Sequence, residues 1–173
     1  MQNILIVVDM QNDFVDGSLG TPEARRIVGH VVEKAAGFDG RVLFTQDTHR
    51  GDYLETQEGK NLPVKHCIQG TEGWKLVPEV EALREEPAVL KETFGSSDLV
   101  EILKELDAQD PIRSIEFVSL CTDICVISNA LLIKAFFPEV PIAVDARGCA
   151  GVTPESHRRA LDAMRMCQIE IIE

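Results

Sequence analysis

The chain has 173 residues, 45% of them hydrophobic and 27% charged, and a net charge of -12 at pH 7. That balance fits a folded domain with a sizeable core and excludes a disordered or fibrous chain. The acidic excess excludes nucleic acid and anionic membrane surfaces as natural partners, since both are held by clustered Lys and Arg, and no apolar run approaches the ~20 residues that cross a bilayer.

In chain order, apolar runs rich in Ile, Val and Phe predict buried strands, and segments with helical spacing predict the helices between them. The first strand is predicted over Asn3 to Val8, a helix over Glu23 to Ala36 and a second strand over Arg41 to Thr45. From Asp47 to Pro87 the periodicity is weak, and so long an irregular stretch reads as a functional loop region. Beyond it come a strand over Ala88 to Lys91, a helix over Ser97 to Leu106 and a strand over Ser114 to Leu120. A helix over Asp123 to Phe137, a strand over Pro141 to Val144, a helix over Pro154 to Met166 and a last strand over Gln168 to Ile172 complete the chain. Strands alternating with helices predict an α/β fold: a three-layer, doubly wound, mainly parallel sheet with helices on both faces. One domain spanning 1–173 accommodates all of it, with 47–87 as its loop region. In such folds ligands sit beyond the carboxyl ends of the strands.

Five cysteines, at 67, 121, 125, 149 and 167, show no paired spacing of a disulfide framework, and no basic leader precedes the first strand. A cytoplasmic protein is expected. Cys67, Cys149 and Cys167 read as small core hydrophobes. Cys125 stands apart, because it follows a strand by one short connection, at the predicted first turn of a helix. Free N–H groups and partial positive charge at a helix start lower a thiol pKa and can hold an oxyanion. Asp9 and Lys91 end two other strands, so the topology gathers all three at one edge of the sheet. Singly, Asp9 also reads as a cap and Lys91 as an edge lysine. Asp47, His49 and His66 offer a carboxylate and two imidazoles, a common divalent-metal set, although an isolated His is more often a hydrogen-bonded structural residue. His30 and His157 lie on predicted helices among charged neighbours and read as solvated.

The segment Val8-Asp9-Met10-Gln11-Asn12-Asp13-Phe14, the Lys91-x-x-Phe94 stretch and the string Cys121-Thr122-Asp123-Ile124-Cys125-Val126 resemble, in order and spacing, three signatures of the isochorismatase-like cysteine hydrolases. The resemblance implies a doubly wound parallel sheet, a homo-oligomer, and a triad of Asp9 as base, Lys91 as cation and Cys125 as nucleophile. It also implies a non-proline cis peptide between Leu120 and Cys121, in a turn that holds the oxyanion. The Lys91 ammonium and the helix start are expected to favour a resting Cys125 thiolate.

Asp47-x-His49 and Pro63-x-x-His66-Cys67 further resemble the metal-binding segment of the nicotinamidase and pyrazinamidase branch, which implies a divalent ion: zinc, with iron or manganese as alternatives. Several members of that branch carry another His in the intervening loop, where this chain has Tyr53; others use a Glu, for which Glu58 is the candidate, ahead of Glu55 and Asp52. The implied activity is hydrolysis of a small amide through a cysteine thioester, with nicotinamide giving nicotinate and ammonia. Phe14 and Trp74 are then candidate walls for a flat ring. The alternative is a metal-independent amidohydrolase acting on a ureido, carbamoyl or other small amide. A non-enzymatic metal-binding or redox protein is the reading from a different class.

Overall fold

The computed structural model describes residues 1–173. Strand β1 (Gln2–Val8) is followed by a single-turn helix α1 (Asn12–Val15) and the long helix α2 (Pro22–Ala36). After β2 (Arg41–Asp47) come a 3-10 turn (Tyr53–Glu55) and two short helices, α3 (Gln57–Asn61) and α4 (Pro78–Glu81). Strand β3 (Val89–Lys91), helix α5 (Ser97–Gln109) and strand β4 (Ile112–Leu120) follow. A π turn (Thr122–Val126) leads into α6 (Ile127–Phe136), and β5 (Ile142–Ala150), α7 (Pro154–Met166) and β6 (Glu170–Ile172) end the fold.

The six strands form one sheet in the order β3-β2-β1-β4-β5-β6, and every neighbouring pair is parallel. The expected mainly parallel sheet is thus wholly parallel. Its interior strands are apolar on both faces because both faces are covered. Ile4, Ile6, Ile115 and Phe117 pack under α5, α6 and α7, whereas Leu5, Val7 and Val118 pack under α2 and α4. Adjacent side chains along β1 therefore serve opposite cores and those two apart share one, as a period of two requires.

Three of the four long helices start at a side-chain cap, while α6 continues directly from the π turn. Thr21 accepts from the Ala24 N–H with Pro22 at the first turn, Ser96 accepts from Leu99 N–H, and Thr153 forms a reciprocal capping box with Ser156. No helix is long and apolar enough to cross a membrane.

The expectations held for the order and type of the long elements and shifted at three places. β5 runs six residues past Val144, to Ala150. The polar break at Asp145 and Arg147 hides this extension, because Asp145 is fully buried and finds its partners on α2: His30 Nε2 and Lys34 Nζ, each at 2.9 Å. The helix expected from Asp123 begins only at Ile127, after the π turn. Region 47–87 is not free of structure, but its helices span five residues or fewer, too short to show periodicity. Two side-chain readings also change. His30 is held by Asp145 and His157 by Thr122 Oγ1, at 2.8 Å, so neither is merely solvated. Cys167 is exposed, unlike the buried Cys67 and Cys149.

Candidate active site

Strand order places the switch in winding direction between β1 and β4, where the chain leaves the sheet on opposite sides and opens a crevice. Asp9 follows β1 immediately, in the left-handed region at φ 49°, a conformation that Asp tolerates better than most side chains. Its amide hydrogen-bonds to the Thr45 carbonyl at 3.2 Å, and Thr45 Oγ1 donates to Asp9 Oδ1 at 2.6 Å. Asp9 Oδ2 pairs with Lys91 Nζ at 2.7 Å, so the carboxylate and the Cys125 thiol meet at one ammonium.

Lys91, the last residue of β3, is 3% exposed. Its ammonium lies 3.1 Å from Asp47 Oδ1, 3.2 Å from the Thr93 carbonyl and 3.2 Å from Cys125 Sγ. The three residues expected to meet do meet, around one ammonium.

Burial pushes the Cys125 thiol well above its ordinary value; the Asp9 charge pushes the same way, and Lys91 only partly opposes them. This overturns the expected resting thiolate. Lys91 is already shared between two carboxylates, and the buried Cys125 side chain has little solvent to stabilise a charge. Burial also raises Asp9, against the pull of Lys91. For Lys91 burial works downward, but Asp9, Cys125 and Asp47 together lift it well above its usual value, so it stays cationic.

The peptide Leu120–Cys121 is cis, and the Cys121 N–H donates to no protein acceptor. The carbonyl of Cys121 accepts from both Ile124 and Val126 N–H, at 3.1 Å each, which folds the π turn back and sets Cys125 at the crevice. Burial takes the Cys121 thiol up to about 12, so it too is neutral.

The second constellation also assembles. Ligand atoms of Asp47, His49 and His66 lie within 4.8 Å of one another, and all three residues are buried. Glu58 Oε1 stands 3.6 Å from His49 Nε2 and 3.7 Å from His66 Nε2. The donor set fits a divalent ion on two observations. His66 Nδ1 donates to the Val64 carbonyl at 2.9 Å, which orients the ring and leaves Nε2 as the nitrogen on the cluster side. His49 Nε2 is buried without an aligned hydrogen bond and lies 2.9 Å from Asp47 Oδ2, so one ion can reach both atoms.

Local sequence builds this half as well. A Cβ on Gly59 would fall 2.0 Å from the Tyr53 carbonyl oxygen, so only glycine lets α3 pack onto that turn and bring Glu58 to the imidazoles. Tyr53 is fully buried with its ring against both histidines, but its hydroxyl donates away from them, to the Leu62 carbonyl at 3.0 Å. It packs the site and contributes no ligand.

A cavity of about 670 Å³ opens between the two halves, and Asp47, Glu58, His66, Leu120, Cys121 and Cys125 all line it. Phe14 is in its wall, 5.5 Å from the His66 ring. Trp74 is not: its indole N–H donates to Thr48 Oγ1 at 2.9 Å, and the side chain serves as a brace behind the site.

Two residues escaped the sequence reading. Gln11, fully buried, accepts from the Asp47 N–H and donates to the Asp47 carbonyl, both at 2.8 Å, so it fixes the aspartate's backbone. Asn129 on α6, also fully buried, accepts from Ser96 N–H and donates to the carbonyls of Phe94 and Cys125. Only a polar residue inside an apolar helix run marked it in advance.

Fold and site define a doubly wound α/β hydrolase with a cysteine at its winding switch. The chain matches the isochorismatase domain over residues 3–173 and belongs to that family. It is 30% identical over 178 residues to an uncharacterised isochorismatase family protein, PncA, of Bacillus subtilis, with 93% of each chain covered. Against the nicotinamidase/pyrazinamidase of Mycobacterium tuberculosis it is 26% identical, with 97% of each covered. Among solved structures, the pyrazinamidase of Pyrococcus horikoshii in complex with zinc superposes with a TM-score of 0.80 at 27% identity, covering 100% of this chain and 99% of that one. The nicotinamidase PncA of Bacillus subtilis gives 0.83 at 26%, with both chains fully covered.

Proposed function

We propose that this chain hydrolyses nicotinamide to nicotinate and ammonia through a thioester on Cys125. The observation that carries the reading is the double role of Asp47: one carboxylate oxygen accepts from Lys91 of the triad while the other faces both imidazoles of the metal set. Nucleophile and ring anchor thus belong to one connected site.

As substrate enters, Asp9 Oδ2 takes the Cys125 proton and the thiolate attacks the carboxamide carbon. Lys91 holds the new thiolate and then the protonated Asp9 in place, 3.2 and 2.7 Å away in the free site. The unpaired Cys121 N–H receives the tetrahedral oxyanion; losing such a donor typically costs about 3 kcal/mol. Asp9 returns its proton to the amine, the C–N bond breaks and ammonia leaves. Water, deprotonated by Asp9, then cleaves the thioester and restores the thiol. A divalent ion held by Asp47, His49, His66 and Glu58, zinc by likeness to the Pyrococcus enzyme, would supply a Lewis acid for the pyridine nitrogen and so orient the ring.

The five free cysteines suit a reducing cytoplasm. Leu131 and Phe136, exposed on α6, suit the homo-oligomer. The family match over 3–173 supports one domain. Against a metal-independent ureido or carbamoyl hydrolase stands the intact, buried Asp47-His49-His66 cluster. The test is ammonia release from nicotinamide by metal-analysed protein, before and after chelation. Stoichiometric metal and chelator-sensitive release are expected; a metal-free protein that releases no ammonia overturns the reading.

A further inference from the structure

The cavity is larger and more apolar at its mouth than a one-ring carboxamide requires. Three of the nine large hydrophobic side chains exposed on this chain, Leu62, Phe94 and Val152, line this single cavity, at 38%, 46% and 53% exposure. Exposed apolar groups scattered singly need no explanation, but their convergence on one opening calls for an apolar occupant. They continue outward from the buried floor at Leu120 and Cys125.

Charge sharpens the choice. No Lys or Arg lines the cavity, whereas Asp47, Glu58 and Glu92 do. Arg50 is engaged by the lining residue Glu92 at 2.9 Å, and Lys91 is engaged by Asp9 and Asp47. A substrate carboxylate seated in the outer compartment, beside Leu62, Phe94 and Val152, meets Glu92 and no lining Lys or Arg, and desolvating it unpaired is costly.

Building on the amidase reading above, we propose that the enzyme selects uncharged aromatic amides whose ring carries an apolar extension, seated against Leu62, Phe94 and Val152. The carboxamide reaches Cys125 while the extension fills the outer compartment. Carboxylate-bearing amides, N-carbamoyl amino acids among them, are refused. All three rim side chains lie outside the catalytic and metal sets, so their replacement tests selection without touching the chemistry.

The experiment measures ammonia release from nicotinamide, 5-phenylnicotinamide and its size-matched carboxyphenyl analogue, with the native chain and with Val152→Asp and Phe94→Ser. For the native chain, kcat/KM for the phenyl amide should equal or exceed that for nicotinamide and fall roughly tenfold or more for the carboxylated compound. Each variant should lose roughly tenfold on the phenyl amide and stay within about twofold on nicotinamide. Hydrolysis of nicotinamide with rejection of the phenyl amide overturns this proposal and leaves the amidase reading intact. So does equal use of the two phenyl compounds, or variants that lose activity on both amides alike. If no compound releases ammonia, the amidase reading and this proposal fall together.

Discussion

Asp47 and Lys91 meet at 3.1 Å through Asp47 Oδ1 and the lysine ammonium, at the ends of adjacent parallel strands whose register pairs these two residues directly. Sheet geometry, and not loop conformation, therefore connects the metal set to the triad. Asp47→Ala should remove bound metal and also weaken the placement of Lys91, so adding excess metal should not restore full activity. Metal content and ammonia release, measured together on the variant, check this; complete rescue by metal would show the two halves to be independent.

Lys91 neutralises two carboxylates, and all three side chains are buried. Lys91→Met leaves Asp9 and Asp47 buried together without their cation, and breaking a buried pair in this way costs about 3–5 kcal/mol. Chemical denaturation at neutral pH should show that loss beside the loss of activity. A variant as stable as the native chain would contradict the charge assignment.

Cys125→Ala should abolish thioester formation and lower turnover roughly a thousandfold or more. Cys121→Ala keeps the backbone N–H that faces the oxyanion and should only reduce turnover. Steady-state ammonia release separates the two, and equal losses would place the nucleophile in doubt. Because burial holds Cys125 as the thiol, iodoacetamide at neutral pH should label the exposed Cys167 before it labels Cys125, which mass spectrometry of the alkylated peptides can read directly.

Much of this arrangement was legible in the residues. Asp9, Lys91 and Cys125 each sit where a hydrophobic run stops, and parallel topology brings such ends together. The electrostatic state was not legible, since the predicted helix start at Cys125 argued for a thiolate while burial and two shared carboxylates, which only the assembled fold creates, decide for the thiol. Trp74 was misplaced for a related reason. Composition marks an aromatic residue as a wall candidate, but the partner of its indole N–H, Thr48, lies 26 residues away. Glu58 was found through resemblance alone, since α3 is too short for periodicity to place it.

Asn129 joins the Phe94–Ser96 loop to the Cys125 carbonyl by three hydrogen bonds of 2.8 to 3.0 Å. Asn129→Leu keeps the volume but leaves the buried Ser96 N–H unpaired, at about 1–3 kcal/mol. The nucleophile turn should also drift from Lys91, so kcat should fall while KM for nicotinamide changes little. A KM effect without a kcat effect would move Asn129 from nucleophile positioning to substrate binding.

Away from the site, Asp145 is held below its ordinary carboxylate range: burial pushes it up, but hydrogen bonds from His30 and Lys34 more than offset that. A folded pKa below the unfolded value of 3.8 means that the stability Asp145 contributes is complete above 3.8 and is lost as pH falls through the folded value. Asp145→Asn should therefore be less stable than the native chain at neutral pH, with the gap closing in acid. Thermal melts across that range test it, and a gap constant with pH would refute the linkage.

The left-to-right order of the sheet carries a last consequence. Asp9, Lys91 and Cys125 hang from strands whose spacing is locked by ladders of backbone bonds, whereas Glu58, Leu62 and His66 belong to the segment between β2 and β3. Insertions or exchanges in that segment leave the reacting atoms where they are. Such a scaffold lets descendants of one ancestral gene diverge in what they consume while inheriting a single way of breaking the bond.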